Sequence, residues 1–367
     1  MDKINKEMKT IKVTTKQLKQ IVYKTFISLG LSKEDSLIAA DVLNASDRRG
    51  IETHGINRLG AYINGIKAGK IDTKGKLTKI SDSIATILFD ANNSLGLVAA
   101  TKAMEECIKR AKETGICIVG VKNSSHLGIT GYYPSMAAKE NMVGIAISNS
   151  ANVMVPYGGK TSILGNSPWS IAFPGGNKHK DPVLLDMACS EVAFGKLHLA
   201  KINGEEIPLN WGVDEDGVPT RDVDKILKGN SLLPFGGAKG YGIAVILEML
   251  VTMLTGSGFG DAIGQGKKGS EPENIGHIMI AIDISKMRSI EEVKSDIDGY
   301  IDHIKATEPA KGFTEIRLPG ERIAKVEYTR EKEGIDFNVN LAERILELLK
   351  KNDILGKEST LEDLLNL

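Results

Sequence analysis

Residues 49 to 59 read RGIETHGINRL, which sets His54 between two guanidinium groups, Arg49 and Arg58, with Gly50 and Gly55 between them. A planar guanidinium grips a carboxylate through paired charge-assisted bonds worth on the order of 1.5–3 kcal/mol each. An imidazole held nearby exchanges a proton with a hydroxyl or carbonyl oxygen close to neutral pH. Adjacent positive charge lowers its pKa and favours the neutral base. That combination suits the C2 chemistry of a small α-hydroxy or α-keto acid. Read as purely structural, the same arginines would pair with Glu52 or Asp47, and spacing alone leaves both readings open.

A second histidine, His126, lies in VKNSSHLGITGYY, just after the β-rich run ICIVGV. Open α/β sheets put their ligands in loops at the carboxyl ends of strands, and Ser124, Ser125 and Gly128 leave room beside the ring. Two further loops follow apolar runs in the same way, NSANVMVPYGG after VGIAIS and DMACS after PVLL. They offer Asp186 to accept bonds from a cofactor hydroxyl or to orient a histidine. Lys239, in LPFGGAKGYG, stands where glycines meet a helix start, a place that favours anions such as phosphate. Two apparent phosphate motifs fail. GGKT at 158 to 161 lacks the P-loop glycine at 154, which is Met, and GSGFGD ends on Asp261 after a helix, so there is no standard Rossmann fingerprint.

These residues need a scaffold of alternating helices and strands. Thr14-x-x-Gln17 and Ser32-x-x-Asp35 are helix-start signatures, so the first 70 residues read as mainly helical, with Gly50 ending the second helix and His54 on a loop or at the next helix start. From about residue 83 the pattern turns to α/β: SIATILFDA as a strand, SLGLVAATKAMEECIKRAKETG as a long helix stopped by Gly115, then ICIVGV, a helix around YYPSMAAKEN, and strands at VGIAIS, PVLLDMA and GHIMIAIDI. KGYGIAVILEMLVTML is apolar nearly all round and reads as a buried helix. The glycine-rich stretch at 255 to 275 reads as a mobile loop able to act as a lid. LAERILELLKK returns to helix near the carboxyl end.

The chain has 367 residues, enough for two cores. Its 47 basic and 47 acidic side chains leave no net field to hold nucleic acid or an anionic membrane, so a small molecule or a second copy is the expected partner. No apolar run approaches the ~20 residues that span a bilayer, and the amino end lacks a signal peptide's apolar core. Cys107, Cys117 and Cys189 show no metal-ligand or redox spacing, which fits a reduced cytoplasmic setting, no metal site and a buried structural thiol at Cys189.

RGIETHGINRL, NSSHLGITGYYPSMA, LGNSPWSIAFP, DMACSEVAFGK, GVDEDGVPTRD, LPFGGAKGYGIAVILEML, LTGSGFG and LPGER occur in the order found in the type 2 malate/L-lactate dehydrogenase family, which the chain resembles from about residue 15 to 325. The relatives include sulfolactate, ureidoglycolate and diketogulonate oxidoreductases and a cyclic imino acid reductase. The resemblance implies an α/β fold, with a three-layer mixed-sheet, non-Rossmann cofactor domain (76-324) and a smaller helical domain in which residues 1-75 pack with 325-367. It implies NAD or NADP as cofactor, a small 2-hydroxy or 2-keto acid as substrate, and a homodimer in which both subunits contribute to each site. By motif position His54 and His126 take the family's two histidine places, with the proton-transfer role open between them. Arg49, Thr53, Arg58 and Asn166 fall near the substrate. Ser150, Asp186, Lys239 and the turn Pro319-Gly320-Glu321 fall near the cofactor. The chain departs from the family pattern at Thr53, where Ser is usual, and at Gly165-Asn166-Ser167-Pro168, where Gly-Thr-Asn-Pro is usual. Both changes put the substrate in question more than the reaction; Lys122 or Asn123 is placed to read a second acid group. Two other activities stay open: reduction of a cyclic imino acid, and ligand binding without catalysis.

Overall fold

The computed structural model describes residues 9–263 and 271–367. In chain order its strands and helices are β1 (Thr10–Val13), α1 (Thr15–Ser28), α2 (Lys33–Arg48), α3 (Leu59–Lys67), β2 (Thr78–Asp82), β3 (Thr86–Asp90), α4 (Gly96–Thr114), β4 (Ile116–Ser124), α5 (Tyr132–Lys139), β5 (Met142–Ser148), β6 (Trp169–Phe173), β7 (Val183–Met187), α6 (Phe194–Asn203), α7 (Val223–Gly229), α8 (Ala238–Thr255), β8 (Ile275–Asp283), α9 (Ile290–Lys305), α10 (Glu321–Glu333), β9 (Ile335–Asn338), α11 (Val339–Lys351) and α12 (Leu361–Leu365). They fall into two compact units, residues 1–68 with 322–367, and residues 69–321.

The unit built from both chain ends is helical, with one two-stranded sheet in which β1 pairs antiparallel with β9. The reading of the amino end as helical misses β1, whose pairing partner lies more than 300 residues away in sequence. Thr14 and Gln17 close the predicted capping box on α1, and Ser32 caps α2 by accepting from the Asp35 N–H. Gly50, at φ 71°, follows the last turn of α2 in the left-handed conformation that glycine adopts without strain.

The other unit carries a seven-stranded mixed sheet in the order β2-β3-β4-β8-β5-β6-β7. Strand residues alternate between two cores. Cys117, Val119, Val121, Ala146, Met279 and Ala281 share one with α4 and α5. Ile118, Ile145, Ile147, Ile278 and Ile280 share the other with Ala244, Leu247 and Val251 of α8. The run at 83 to 91 yields β3 alone, because residues 83 to 85 turn the chain back from β2. WSIAF, unassigned from periodicity, forms β6.

Only β3 and β4 run parallel; each of the other neighbouring pairs is antiparallel. The carboxyl ends of β3, β4, β5 and β7 therefore share one sheet edge with the amino ends of β6 and β8. Chain both leaves and enters the sheet at that edge.

One expectation fails outright. Helix α8 buries Ala244, Leu247 and Val251, but Ile246, Met249, Met253 and Leu254 stand 58%, 49%, 64% and 58% exposed. All-round apolarity records that both faces avoid water; it does not say that this chain covers both. The helix also corrects the reading that no apolar run nears a bilayer's span, since its 18 residues are long and apolar enough to cross one by length and composition. Of the stretch read as a mobile lid, residues 264–270 lie outside the described residues.

Candidate active site

Within the unit formed by the chain ends, RGIETHGINRL leaves α2 and makes two short 3-10 turns, Glu52–His54 and Ile56–Arg58, before α3 begins. Asp47, buried on the last turn of α2, holds this loop: its Oδ2 accepts the Ile56 N–H at 2.9 Å. A Cβ on Gly55 would sit 1.8 Å from Asp47 Oδ1, so only glycine lets the backbone lie against the carboxylate. Arg330 closes the loop from α10 by donating to the Asp47 carbonyl and to Glu52 Oε1, each at 2.6 Å.

The loop sets His54 beside Thr53, whose Oγ1 lies 2.9 Å from the imidazole Nδ1. Burial, and next the Arg58 charge, lower the His54 pKa from its ordinary 6.5 to about 4, so the ring is neutral at physiological pH. Arg58 keeps a buried Nε with no hydrogen-bond partner among the described residues. A guanidinium N–H withheld from both water and protein is costly unless a ligand meets it. Arg49 is different. It is 8% exposed and its Nε donates to Glu327 Oε2 at 3.1 Å, beside an Arg48–Glu327 pair at 3.0 Å. The structural partners suggested by spacing, Glu52 and Asp47, are thus replaced by Glu327, a residue 278 positions away.

In the sheet-bearing unit, six expected or newly found residues share the one sheet edge. The loop after β4 carries His126, whose backbone N–H donates to Glu273 Oε2 at 2.9 Å and whose Nδ1 accepts the Gly128 N–H at 3.2 Å. Tyr133 fixes the next residue through its hydroxyl, which donates to the Leu127 carbonyl. With Nδ1 occupied as an acceptor, the neutral ring carries its proton on Nε2. Ser150, after β5, donates to Asn166 Oδ1 at 2.7 Å and accepts the Asn166 N–H at 3.0 Å, so a residue expected near the cofactor and one expected near the substrate form a single reciprocal pair. Asp186, near the end of β7, packs against Gly131, where a Cβ would lie 2.6 Å from its Oδ2. Ser167 Oγ and Trp169 Nε1, entering β6, are buried donors with no partner among the described residues.

Other expected residues are spoken for or stand apart. Asn123 Nδ2 donates to Asp90 Oδ2 at 2.8 Å and Lys122 Nζ lies 3.9 Å from the same oxygen, so both face Asp90. Glu321 pairs with Lys305 at 2.7 Å and accepts the Leu318 N–H, while the Pro319 carbonyl accepts from Leu184 of β7 and Gly320 turns at φ 95°. Lys239 is exposed in the first turn of α8, after Gly236 and Gly237 at φ 56° and 64°. Cys189 is buried with its thiol pushed up to about 12 by desolvation, an inert group as expected. Among the described residues no cluster of His, Cys, Asp and Glu could hold a metal ion. Sequence reasoning passed over Asp47 as a loop anchor, Glu273 and the buried His277; each acts through a contact that has no local signature.

The sheet-bearing unit gathers polar loops at one edge, and the unit of the chain ends sets Arg58 and a neutral imidazole on one loop. The chain belongs to the malate/L-lactate dehydrogenase family, whose model matches residues 13–346, and it is an oxidoreductase of 2-hydroxy acids. It is 38% identical over 344 residues to the malate/(S)-sulfolactate dehydrogenase of Methanothermus fervidus, covering 93% of this chain and 98% of that one. It is 33% identical over 315 residues, 84% of this chain and 90% of the other, to the (2R)-3-sulfolactate dehydrogenase (NADP(+)) of Chromohalobacter salexigens. The solved sulfolactate dehydrogenase of Methanocaldococcus jannaschii superposes with a TM-score of 0.87 at 37% identity, over 96% of this chain and 99% of that one.

Proposed function

We propose that the chain moves a hydride between a nicotinamide cofactor, NAD or NADP, and C2 of a small 2-hydroxy or 2-keto acid of the malate or L-lactate type. The observation that carries this reading is the Arg58 guanidinium, with a buried, unmet N–H, on the loop that holds a neutral His54. Arg58 engages the substrate carboxylate, and Arg49, committed to Glu327, braces the loop from α2 and adds positive field. Thr53 accepts from His54 Nδ1–H, which leaves the Nε2 lone pair to take the proton from the C2 hydroxyl as the carbonyl forms, and to return it in reduction. His126, with Nδ1 occupied, donates from Nε2 and polarises the C2 oxygen. On this division His54 takes the proton-transfer role that motif position leaves open.

The cofactor, when bound, supplies or accepts the hydride. The residues fit such a group. Gly236 has open space around its missing Cβ, and with Gly237 it leads into the first turn of α8, where backbone N–H groups and Lys239 suit a phosphate. Ser167 Oγ and Trp169 Nε1 are unmet donors for ribose or amide oxygens. Ser150 orients Asn166 so that its Nδ2 amide remains as a donor to substrate. Asp186 accepts a cofactor hydroxyl. At Pro319-Gly320-Glu321 the carboxylate is taken by Lys305, so the backbone and the bare Gly320 would meet the cofactor. This is a non-Rossmann arrangement of a cytoplasmic enzyme, and the exposed apolar face of α8 is covered by a second copy in a homodimer.

The test is to follow the absorbance of NADH and of NADPH with oxaloacetate, pyruvate, sulfopyruvate, 2,3-diketogulonate and a cyclic imino acid. Selective oxidation by one 2-keto acid is expected. Turnover on the imino acid alone would shift the reaction to C=N reduction, and cofactor binding without any turnover would make the chain a binding protein.

A further inference from the structure

His277 is the one histidine in the sheet itself. It lies fully buried on β8, between β4 and β5, facing the core shared with α4 and α5. Its Nδ1 is 3.0 Å from Ser148 Oγ, on the last residue of β5, and its Nε2 is 2.8 Å from Ser124 Oγ, on the last residue of β4. Ser148 stands two residues before Ser150, and Ser124 two before His126. The β4 contact depends on an irregularity: the β4–β8 register shifts between Val121 and Ser124, with Asn123 at φ 51°, and this brings Ser124 round to the ring. From the other side Ser148 Oγ also reaches the Gly276 carbonyl at 3.2 Å, while Asn149 is locked by bonds to Gly276 N–H and the Gly258 carbonyl, both 2.8 Å.

We infer that His277 is a positioning residue for the reaction: one imidazole ties the loop carrying His126 to the loop carrying Ser150 and Asn166, and so sets the spacing between the proton-handling and cofactor-handling halves of the sheet edge. It touches neither substrate nor cofactor. An aliphatic side chain would fill the same volume, but an imidazole has two nitrogens on opposite sides of a rigid ring, and neutral imidazole offers one donor and one acceptor, matching a hydroxyl at each end. Burial lowers its pKa to about 3, so the tie keeps its neutral form throughout the working pH range. Lateral displacement of a reacting group by about 1 Å can cost on the order of a hundredfold in rate, so a rigid cross-link two residues from each loop has leverage without contact.

The inference rests on the hydride-transfer reading given above, and the test separates the two. An Asn amide at 277 can stand in for Nδ1 alone, and a Gln amide for Nε2 alone. His277→Asn therefore keeps the Ser148 bond and frees Ser124. It should lower kcat about tenfold while leaving the cofactor KM within about twofold. His277→Gln keeps the Ser124 bond, and should raise the cofactor KM about tenfold with a smaller change in kcat. If either variant fails to fold, Ser124→Ala and Ser148→Ala retain the imidazole and should reproduce the same split. Amide hydrogen exchange gives a readout independent of turnover: faster exchange confined to 124–128 in the first case and to 148–150 in the second supports the tie even if the wild type reduced none of the acids, which would sink the hydride-transfer reading alone. Equal losses on both sides, or lower melting temperature with wild-type kcat, KM and exchange at both loops, would overturn it and leave His277 a core residue.

Discussion

On the proposed reading His54 exchanges the proton and Arg58 holds the acid group, and the protonation of His54 sets what pH does. Because the folded pKa of His54 is lowered from 6.5 to about 4, its base form persists well into acid. Hydroxy acid oxidation should therefore hold its rate from neutrality down towards pH 4, where an unshifted histidine would already lose it near 6.5; kcat/KM against pH is the check. His54→Gln should reduce kcat by about 10²–10⁴-fold, the usual worth of a positioned acid–base group. Arg58→Gln should raise KM for the keto acid with a loss of about 10–100-fold in kcat/KM, from one charge-assisted pair. Arg49→Gln removes one of the two guanidinium groups on Glu327 and leaves Arg48 in place, so it should cost only about 1 kcal/mol of stability in denaturant titration. Asp47 runs the other way from an ordinary carboxylate. Its folded pKa is raised from 3.8 to about 7, so the fold holds a proton that the unfolded chain releases between those values, and the stabilisation present below about pH 4 is lost as pH rises to 7. Relative to Asp47→Asn, the wild type should lose on the order of 4 kcal/mol across that window.

At the scale of elements, glycines decide where the loops can lie. Gly55→Ala drives a methyl group into Asp47, so the Asp47–Ile56 bond must break and the His54 turn must move; activity should fall by about a hundredfold or more, beyond the loss in melting temperature. Elements with a local code were legible in the sequence: the capping box at Thr14, the stop at Gly115, the apolar runs of β4, β5 and β8, and the two histidine loops with their small, polar neighbours. Elements whose reason lies elsewhere in the chain were not. β1 exists because β9 pairs with it, Glu273 matters because it reaches the His126 N–H, and the partner of Arg49 sits on α10. His277 reads as one more letter in an apolar strand, since nothing beside it announces the two serines at its ring nitrogens.

For the whole molecule, α8 carries the consequence. A helix with Ile246, Met249, Met253 and Leu254 all 49% or more exposed is unfavourable in water, and large exposed apolar patches mark interaction surfaces. If a second copy covers it, Ile246→Glu with Met253→Glu should convert a dimer to a monomer in light scattering behind size exclusion. Recovery of an unchanged dimer would move the interface elsewhere.

The pairing of β1 with β9 also orders events in time. Residues 69–321 form a contiguous unit whose sheet is complete once β8 has been made, so it can fold while synthesis continues. The unit holding His54 cannot: β1 must wait for residues 335–338, and Gln17 of α1 donates its Nε2–H to the Leu365 carbonyl, two residues from the last. The loop that holds His54 is thus made before the sheet-bearing unit yet finds its final setting after it, so a nascent chain completes the seven-stranded sheet before it fixes that histidine.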